Sequence, residues 1–294
     1  MKSILLTAAA AILALAGGDP QPHAAPPAQR IITIAPNSAE IICALDACDR
    51  IVGVDKFCTY PPSLADRPRV GGLFDPDLEK IVSLRPDLIV LRGHSESVEK
   101  LCRDLKINLY LDPTEKLADI KTCITDLARL TGKEARGRQL VDDFQARLAA
   151  IRASVAGKPR PRVLLTVSRR PDRIASVTTA AKGTFLDDMI EVAGGVNVFG
   201  HLEMAYPQVS AEGILTARPE VILELMPELN ANDKLREELR AQWAAVGPIP
   251  AVKTGRIHFL TDANVLIPSP RYAEIIEKAT RLLHGQPTSS SAPP

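Results

Sequence analysis

Two glutamates stand at matching places in a phrase that the chain uses twice. DLEKIVSLRPDLIVL occupies residues 77–91 and SAEGILTARPEVILE residues 210–224. At an offset of 133, Glu79 falls on Glu212, Ile81 on Ile214, Val82 on Leu215, Arg85 on Arg218 and Pro86 on Pro219. Each glutamate is the second residue of an expected helix, behind Asp77 or Ser210 as N-cap. A carboxylate there can serve its own helix, because unpaired N–H groups and the positive end of the dipole favour it by about 0.3–1 kcal/mol. The matched pair has a second use. Two carboxylates, one in each half of the chain, can meet a partner with approximate two-fold symmetry and a basic residue on each half. Rim charges of that kind steer and orient a partner more than they tighten its binding. Both prolines need only end their helices.

Spacing draws no catalytic set together. GxGxxG, P-loop, GxSxG and HExxH patterns are all absent, and the paired glycines of EVAGGVN, Gly194 and Gly195, read as the end of a helix. Carboxylates are abundant, but none is tied to a base or a metal partner, so no enzyme is expected. The five cysteines, Cys43, Cys48, Cys58, Cys102 and Cys123, contain no CxxC, which removes the zinc-knuckle and thioredoxin-like readings. Their odd number leaves at least one thiol unpaired within the chain, and most are expected to be buried. The pairing itself stays open.

The elements that must carry these residues follow an alternating order. RIITI, RIVGV, DLIVL and NLYLD are short apolar strands. Between and after them, NSAEIICALDACD, DLEKIVSL, SVEKLCRDL and LADIKTCITDLARLTG read as helices, the first capped by Asn37 or Ser38 with Glu40 in its opening turn. A longer stripe follows. Leu140, Val141, Phe144, Leu148, Ile151 and Val155 recur at helical spacing, predicting a helix of about 34 Å over residues 133–155. The alternation then restarts: RVLLTV and EVILEL are strands, GTFLDDMIEVAG, SAEGILTA and DKLREELRAQWAAV are helices, IHFL is a strand and SPRYAEIIEKATRLLHG closes the chain. The fold class is therefore α/β: two Rossmann-like lobes with mostly parallel sheets, joined by one long backbone helix, with a ligand cleft between the lobes. The expected divisions are residues 30–132, 133–158 and 159–285.

Both ends differ from this body. MKSILLTAAAAILALAGG carries one early lysine and an apolar run of residues 4–16, too short to span a bilayer. Residues 1–29 read as a secretory signal peptide and leader. Gly18 stands where a lipoprotein signal would carry its cysteine, so a soluble exported protein is expected. Residues 286–294, QPTSSSAPP, read as a disordered tail. The composition, 46% hydrophobic and 24% charged with a formal net charge of +1, suits a folded soluble chain and gives no basic excess for nucleic acid.

RIITIAPNSAEIICALDACDRIVGVDKFCTYP, RVGGLFDPDLEKIVSLRPDLIVL, YPQVSAEGILTARPEVIL and the late SPR together resemble the periplasmic substrate-binding proteins of iron-chelate and corrinoid importers, the helical-backbone class. The resemblance covers roughly residues 30–283. It implies capture of cobalamin or a related corrinoid, with haem or a ferric siderophore as the alternative ligand. It also implies delivery, by a monomer, to a dimeric ABC permease with its ATPase. Glu79 and Glu212 match the family's docking glutamates, one per lobe. Tyr60 and Tyr206 look like aromatic positions of the cleft. Leu73, beside Phe74, stands where cobalamin binders tend to carry tryptophan, and Leu91 replaces another aromatic. Strand ends in open α/β sheets face the ligand, which adds Arg92, His94, Arg169, Arg170, Arg173, Asp262 and Asn264 as polar candidates. The arginines suit carboxylates or phosphate, and His94 could reach cobalt or iron as an axial ligand, joined by His201 and His258 only if the fold converges them.

Overall fold

The computed structural model describes residues 26–170, 174–227 and 233–285. The leader, most of it, and the C-terminal tail lie outside the described residues, as does Arg173. The first lobe contains β1 (Ile31–Ile34), α1 (Pro36–Ala44), β2 (Ile51–Val54), α2 (Leu78–Ser83), β3 (Leu88–Arg92), α3 (Glu96–Leu105), β4 (Asn108–Asp112) and α4 (Asp119–Thr131). Its strands are parallel in the order β2-β1-β3-β4. Residues of β1 and β3 are buried on both faces, as their unbroken apolar runs require. The first helix starts earlier than its sequence signals suggest. Pro36 takes the first helical position behind Ala35, since a fixed φ and a missing N–H suit that place. Asn37 and Ser38 therefore lie inside the helix and cap nothing. Their side chains instead donate to the Asp112 carboxylate at 2.7 and 2.5 Å, joining α1 to the end of β4.

One helix, α5 (Glu134–Val155), carries the chain onward. The second lobe then contains β5 (Arg162–Arg169), β6 (Ser176–Thr179), α6 (Phe185–Val192), β7 (Val196–Asn197), β8 (Gln208–Ser210), α7 (Ala211–Ala217), β9 (Val221–Leu225), α8 (Asp233–Gln242), α9 (Pro250–Lys253), β10 (Ile257–Leu260) and α10 (Tyr272–His284). Its sheet runs β10-β9-β5-β6-β8, with β7 beside β5. β10, β9 and β5 are parallel, whereas β6 and β8 add antiparallel pairs. These short strands, SVTT and QVS, carry too few apolar residues to show a sequence period. The helix expected through DKLREELRAQWAAV ends at Gln242 and tightens into a 3-10 turn over Trp243–Val246.

The two lobes share one core. Ile31 and Val90 of the first sheet, Phe144 and Leu148 of α5, and Leu165, Leu223 and Ile276 of the second lobe belong to a single buried cluster. The repeated phrase is likewise more than a sequence echo. Asp77 accepts from the Lys80 N–H at 2.9 Å and Ser210 from the Gly213 N–H at 3.1 Å, so both caps are made. Arg85 and Arg218 both sit at φ 47°, in the left-handed region. An arginine opening each lobe's first strand secures that turn. Arg30 Nη2 donates to the Leu84 carbonyl at 2.6 Å and Arg162 Nη2 to the Ala217 carbonyl at 2.7 Å. Asp87 and Glu220 in turn accept the backbone N–H of Arg30 and of Arg162.

Where α4 meets α5 the helices pass closely at Gly137. A Cβ there would lie 2.4 Å from Cβ of Ala128, which is fixed to its backbone and cannot swing away. Gly137→Ala should therefore destabilise the protein by about 1–3 kcal/mol through overpacking, despite a gain of about 1 kcal/mol in helix propensity. Denaturant melts of the two proteins check this, and an equal or higher midpoint for the variant would show a looser contact.

Candidate ligand-binding site

The seam between the lobes is built from rings and guanidinium groups. After β2 the chain turns at Asp55, whose carboxylate accepts the Phe57 N–H at 2.7 Å. Arg69 donates to the Cys58 carbonyl at 2.6 Å and holds the next residues. This loop delivers Tyr60, 40% exposed and followed by the cis proline Pro61. Arg271, from the residue before α10, lies across the Tyr60 ring with its guanidinium carbon 3.5 Å from the centroid. The same guanidinium grips Glu40 of α1 at 2.6 and 3.0 Å. Ser269 Oγ adds a third donor to Glu40 at 2.6 Å. A carboxylate only 5% exposed thus receives charge-assisted bonds from the other lobe. A cavity of about 340 Å³ adjoins them, bounded also by Pro270 and by the disulfide Cys43–Cys48.

Further along the seam, Arg92 at the end of β3 donates to the Thr114 carbonyl at 3.0 Å and lies 5.8 Å from the Phe185 ring centroid of the second lobe. Phe185 meets Tyr272 edge-on at 5.1 Å. Its backbone N–H donates to the Glu115 carbonyl at 2.7 Å, and the Leu117 N–H donates to Asp188 at 2.8 Å. Both bonds join the lobes. Tyr206, 38% exposed, has its hydroxyl pushed up by burial, opposed by the charge of Arg92 and reinforced by that of Glu115. Tyr60 meets Arg271, and Tyr206 interacts with Arg92, at two points along the seam. The seam can hold a planar or amphipathic ligand against rings, with cations for acceptor groups.

The other sequence candidates differ in their surroundings. Leu73 is half-buried against Gly93, whereas Phe74 beside it is 94% exposed. Leu91 belongs to the core of the first lobe and faces no ligand. His94 is exposed and pairs with Glu99 at 3.3 Å, and Asp262 pairs with Lys278. Asn264 is buried. Arg169 needs correction as an open ligand-facing charge. Its side chain is 3% exposed and bonded to Glu224 at 3.0 Å and to Gln242 at 2.7 Å, while the Trp243 indole donates to the same Glu224. Burial alone would leave that carboxylate uncompensated, so the guanidinium is committed to it. Arg170 lies exposed at the strand's end. Among the described residues no three His, Cys, Asp or Glu side chains gather as metal ligands. His258 lies in β10, its pKa lowered to about 4 by burial and by the charges of Arg256 and Arg240.

Sequence reasoning missed Glu40, Ser269, Arg271 and Phe185 as seam residues. NSAE and SPR carried the resemblance, but nothing local says that residues 231 positions apart form an ion pair. On the outer surface, Glu79 and Glu212 are both exposed, each one turn from an exposed apolar residue, Val82 or Leu215.

Two α/β lobes sharing a core through one long helix, with a ring-lined seam between them, define a solute-binding protein of the helical-backbone class. The sequence profile of the periplasmic binding protein family matches residues 31–263, and the chain belongs to that family. It is a periplasmic protein that binds its small ligand without transforming it. A vitamin B12-binding protein of Vibrio cholerae is 29% identical over 259 residues, 87% of this chain and 90% of that protein. Among solved structures, the periplasmic vitamin B12-binding protein of Vibrio cholerae matches with a TM-score of 0.74 at 28% identity, covering 87% of this chain and 97% of that one. The periplasmic haem-binding protein RhuT of Roseiflexus sp. RS-1 gives a TM-score of 0.72 at 26% identity, covering 87% and 98%.

The loop bearing Tyr60 has a pH signature. Burial raises the Asp55 carboxyl to about 6, against the opposing hydrogen bonds from the Phe57 and Cys58 N–H groups and the charge of Arg69. Because the folded value exceeds the unfolded one, the contribution of this group is complete below about pH 4 and is lost as pH rises through about 6. Wild type should lose up to ~3 kcal/mol over that interval relative to Asp55→Asn. His258 acts with the opposite sign over the same window, so the difference between the two proteins is the measurement. Parallel stability curves from pH 4 to pH 7 would refute the assignment.

Proposed function

We propose that the protein captures cobalamin or a related corrinoid and delivers it to the dimeric permease of an ABC importer with its ATPase. The observation that carries this reading is a pair of half-open tyrosines, Tyr60 against Arg271 and Tyr206 near Arg92, in a chain whose named relatives over most of its length include vitamin B12-binding proteins. A corrin ring is flat, apolar on its faces and edged with amide oxygens. Tyr60 and Tyr206 offer faces and edges to it, Leu73 and Phe74 extend the apolar wall, and Arg92 offers a donor to its rim. His94 and Arg170, exposed just past β3 and β5, are further candidates for polar contact. The lobes spanning residues 30–132 and 159–285, on either side of residues 133–158, would close on the ligand only modestly, because one core already joins them.

A second reading has its own support. The likeness to a haem-binding structure at 26% identity and the guanidinium of Arg92 beside the seam suit haem, whose two carboxylates call for cations. A ferric siderophore would use the same charge. Delivery rests on Glu79 and Glu212, whose equivalent helices are capped and clamped alike in the two lobes. They would meet basic residues on the two halves of a two-fold permease.

Cyanocobalamin, haemin and a panel of ferric siderophores should be tested by heat stabilisation. At 100-fold excess over its Kd, a true ligand stabilises by about 2.7 kcal/mol. Trp243, fully buried in the turn after α8, is a poor fluorescence reporter for the seam. Cyanocobalamin is expected to raise the midpoint most, and the absence of any response to a corrinoid would overturn the first choice. Replacing Glu79 and Glu212 together by alanine should leave that ligand's affinity within about two-fold and strongly reduce uptake through the importer, because rim charges act on docking. Lost affinity with preserved uptake would reverse the assignment.

A further inference from the structure

Tyr60 reaches the seam on a loop, and a loop residue alone would sample several rotamers. Among the described residues its hydroxyl makes no hydrogen bond, and nearly half its surface is open. What fixes the ring lies on the opposite lobe. Arg271 places its guanidinium plane 3.5 Å from the ring centroid. The plane itself cannot turn, because Nε and Nη2 are both committed to Glu40 at 3.0 and 2.6 Å. Glu40 is held in turn by Ser269 and by its place on the buried face of α1.

We propose that Arg271 is the positioning residue for Tyr60: it holds one face of the ring against the second lobe and leaves the other face set for the ligand. The inference deepens the proposed function, since it rests on the seam being the ligand site. Affinity then depends on a contact the ligand never touches. A ring already fixed loses less side-chain freedom when ligand binds. The arrangement also ties the aromatic wall to lobe separation, because Glu40 and Tyr60 belong to one lobe and Arg271 to the other. If the lobes part by a few ångströms, the ring loses its plate and the carboxylate loses its partner in the same movement. Lysine cannot replace the arginine. An ammonium has no plane to lie along a ring and cannot give two parallel bonds to a carboxylate.

The first test needs no ligand. The chain has four tyrosines, so labelling with 3-fluorotyrosine gives four ¹⁹F signals, and Tyr60→Phe identifies the one of interest. In Arg271→Gln and Arg271→Lys that signal should move toward the position of a free exposed tyrosine. The Tyr110 signal, from a residue bonded to Asp126 at the far strand, should stay in place. Because Arg271→Gln alone leaves a buried carboxylate, the Arg271→Gln/Glu40→Gln pair, with both charges removed, is measured beside it. An unmoved Tyr60 signal in all three overturns the proposal.

The second test measures affinity for cyanocobalamin and for haemin. Arg271→Gln should weaken the bound probe about 5- to 30-fold, the loss of a partly desolvated cation–π contact. In a Tyr60→Ala background the same change should cost less than two-fold. An equal loss in both backgrounds would mean that Arg271 acts on the ligand directly, and the positioning role falls. Should wild type bind neither probe, the corrinoid and haem readings fail while the fluorine spectra still decide the role of Arg271.

Discussion

A carboxylate sealed between two lobes has to be answered by both of them. Glu40 sits on the first helix of the chain, away from water, and the donors that neutralise it come from the last turn before the final helix. Removing one side of such a pair is costly because the other remains as an uncompensated buried charge. This single requirement fixes how the two ends of the fold meet. It sets the start of α10 against α1, and it brings Arg271 to Tyr60. The same requirement recurs inside the second lobe, where Arg169 and Trp243 both answer the buried Glu224. Between these two places the core through α5 is apolar and continuous. The lobes are therefore joined by a greasy axle and a polar clasp, which together limit how far they can part.

The sequence made the architecture legible where its signals are local. Periodic apolar residues marked α5, unbroken runs marked β1 and β3, and Asp77 and Ser210 announced the caps they make. The repeat itself was visible, but its mechanical part was not. Arg30 and Arg162 support the turns at Arg85 and Arg218 from more than fifty residues away, and no periodicity reports a contact of that span. The antiparallel strands β6 and β8 were missed because they are short and polar. Pro36 outweighed Asn37 and Ser38 at the start of α1, since backbone geometry at the first position takes precedence over a side chain that has a better partner in Asp112.

The candidate site shows the same division. Tyr60, Arg92 and Tyr206 could be chosen from strand ends and family resemblance, and Tyr60 and Tyr206 keep part of their surface open. Arg169 was drawn from the same rule and lies in a buried ion pair, because a strand end places a residue near a cleft without saying whether its charge already has a partner. What distinguishes them is the partner, and partners here come from the opposite lobe or the neighbouring strand. A β-bulge illustrates the point: β5 slips register between Thr166 and Ser168, which turns Arg169 to the face of Glu224, the residue opposite Thr166 on β9.

The cysteines bear on how the chain matures. Cys43 and Cys48 are joined at the end of the helix that carries Glu40, whereas Cys58, Cys102 and Cys123 are free and buried. Burial pushes the Cys58 thiol up to about 11, with the charge of Asp55 adding to it, and raises the other two. Thiolate is the form that exchanges, so the folded protein silences three of its five sulfurs. An unfolded chain in an oxidising compartment has no such protection, and Cys58 is only ten residues from the correct partner of Cys43. The bonded pair encloses the shortest loop that any two of the five cysteines can close, and short loops close at least entropic cost. Oxidative folding is thus sorted by proximity first and by burial second, and the lone thiols are safe only once the first lobe has closed over them.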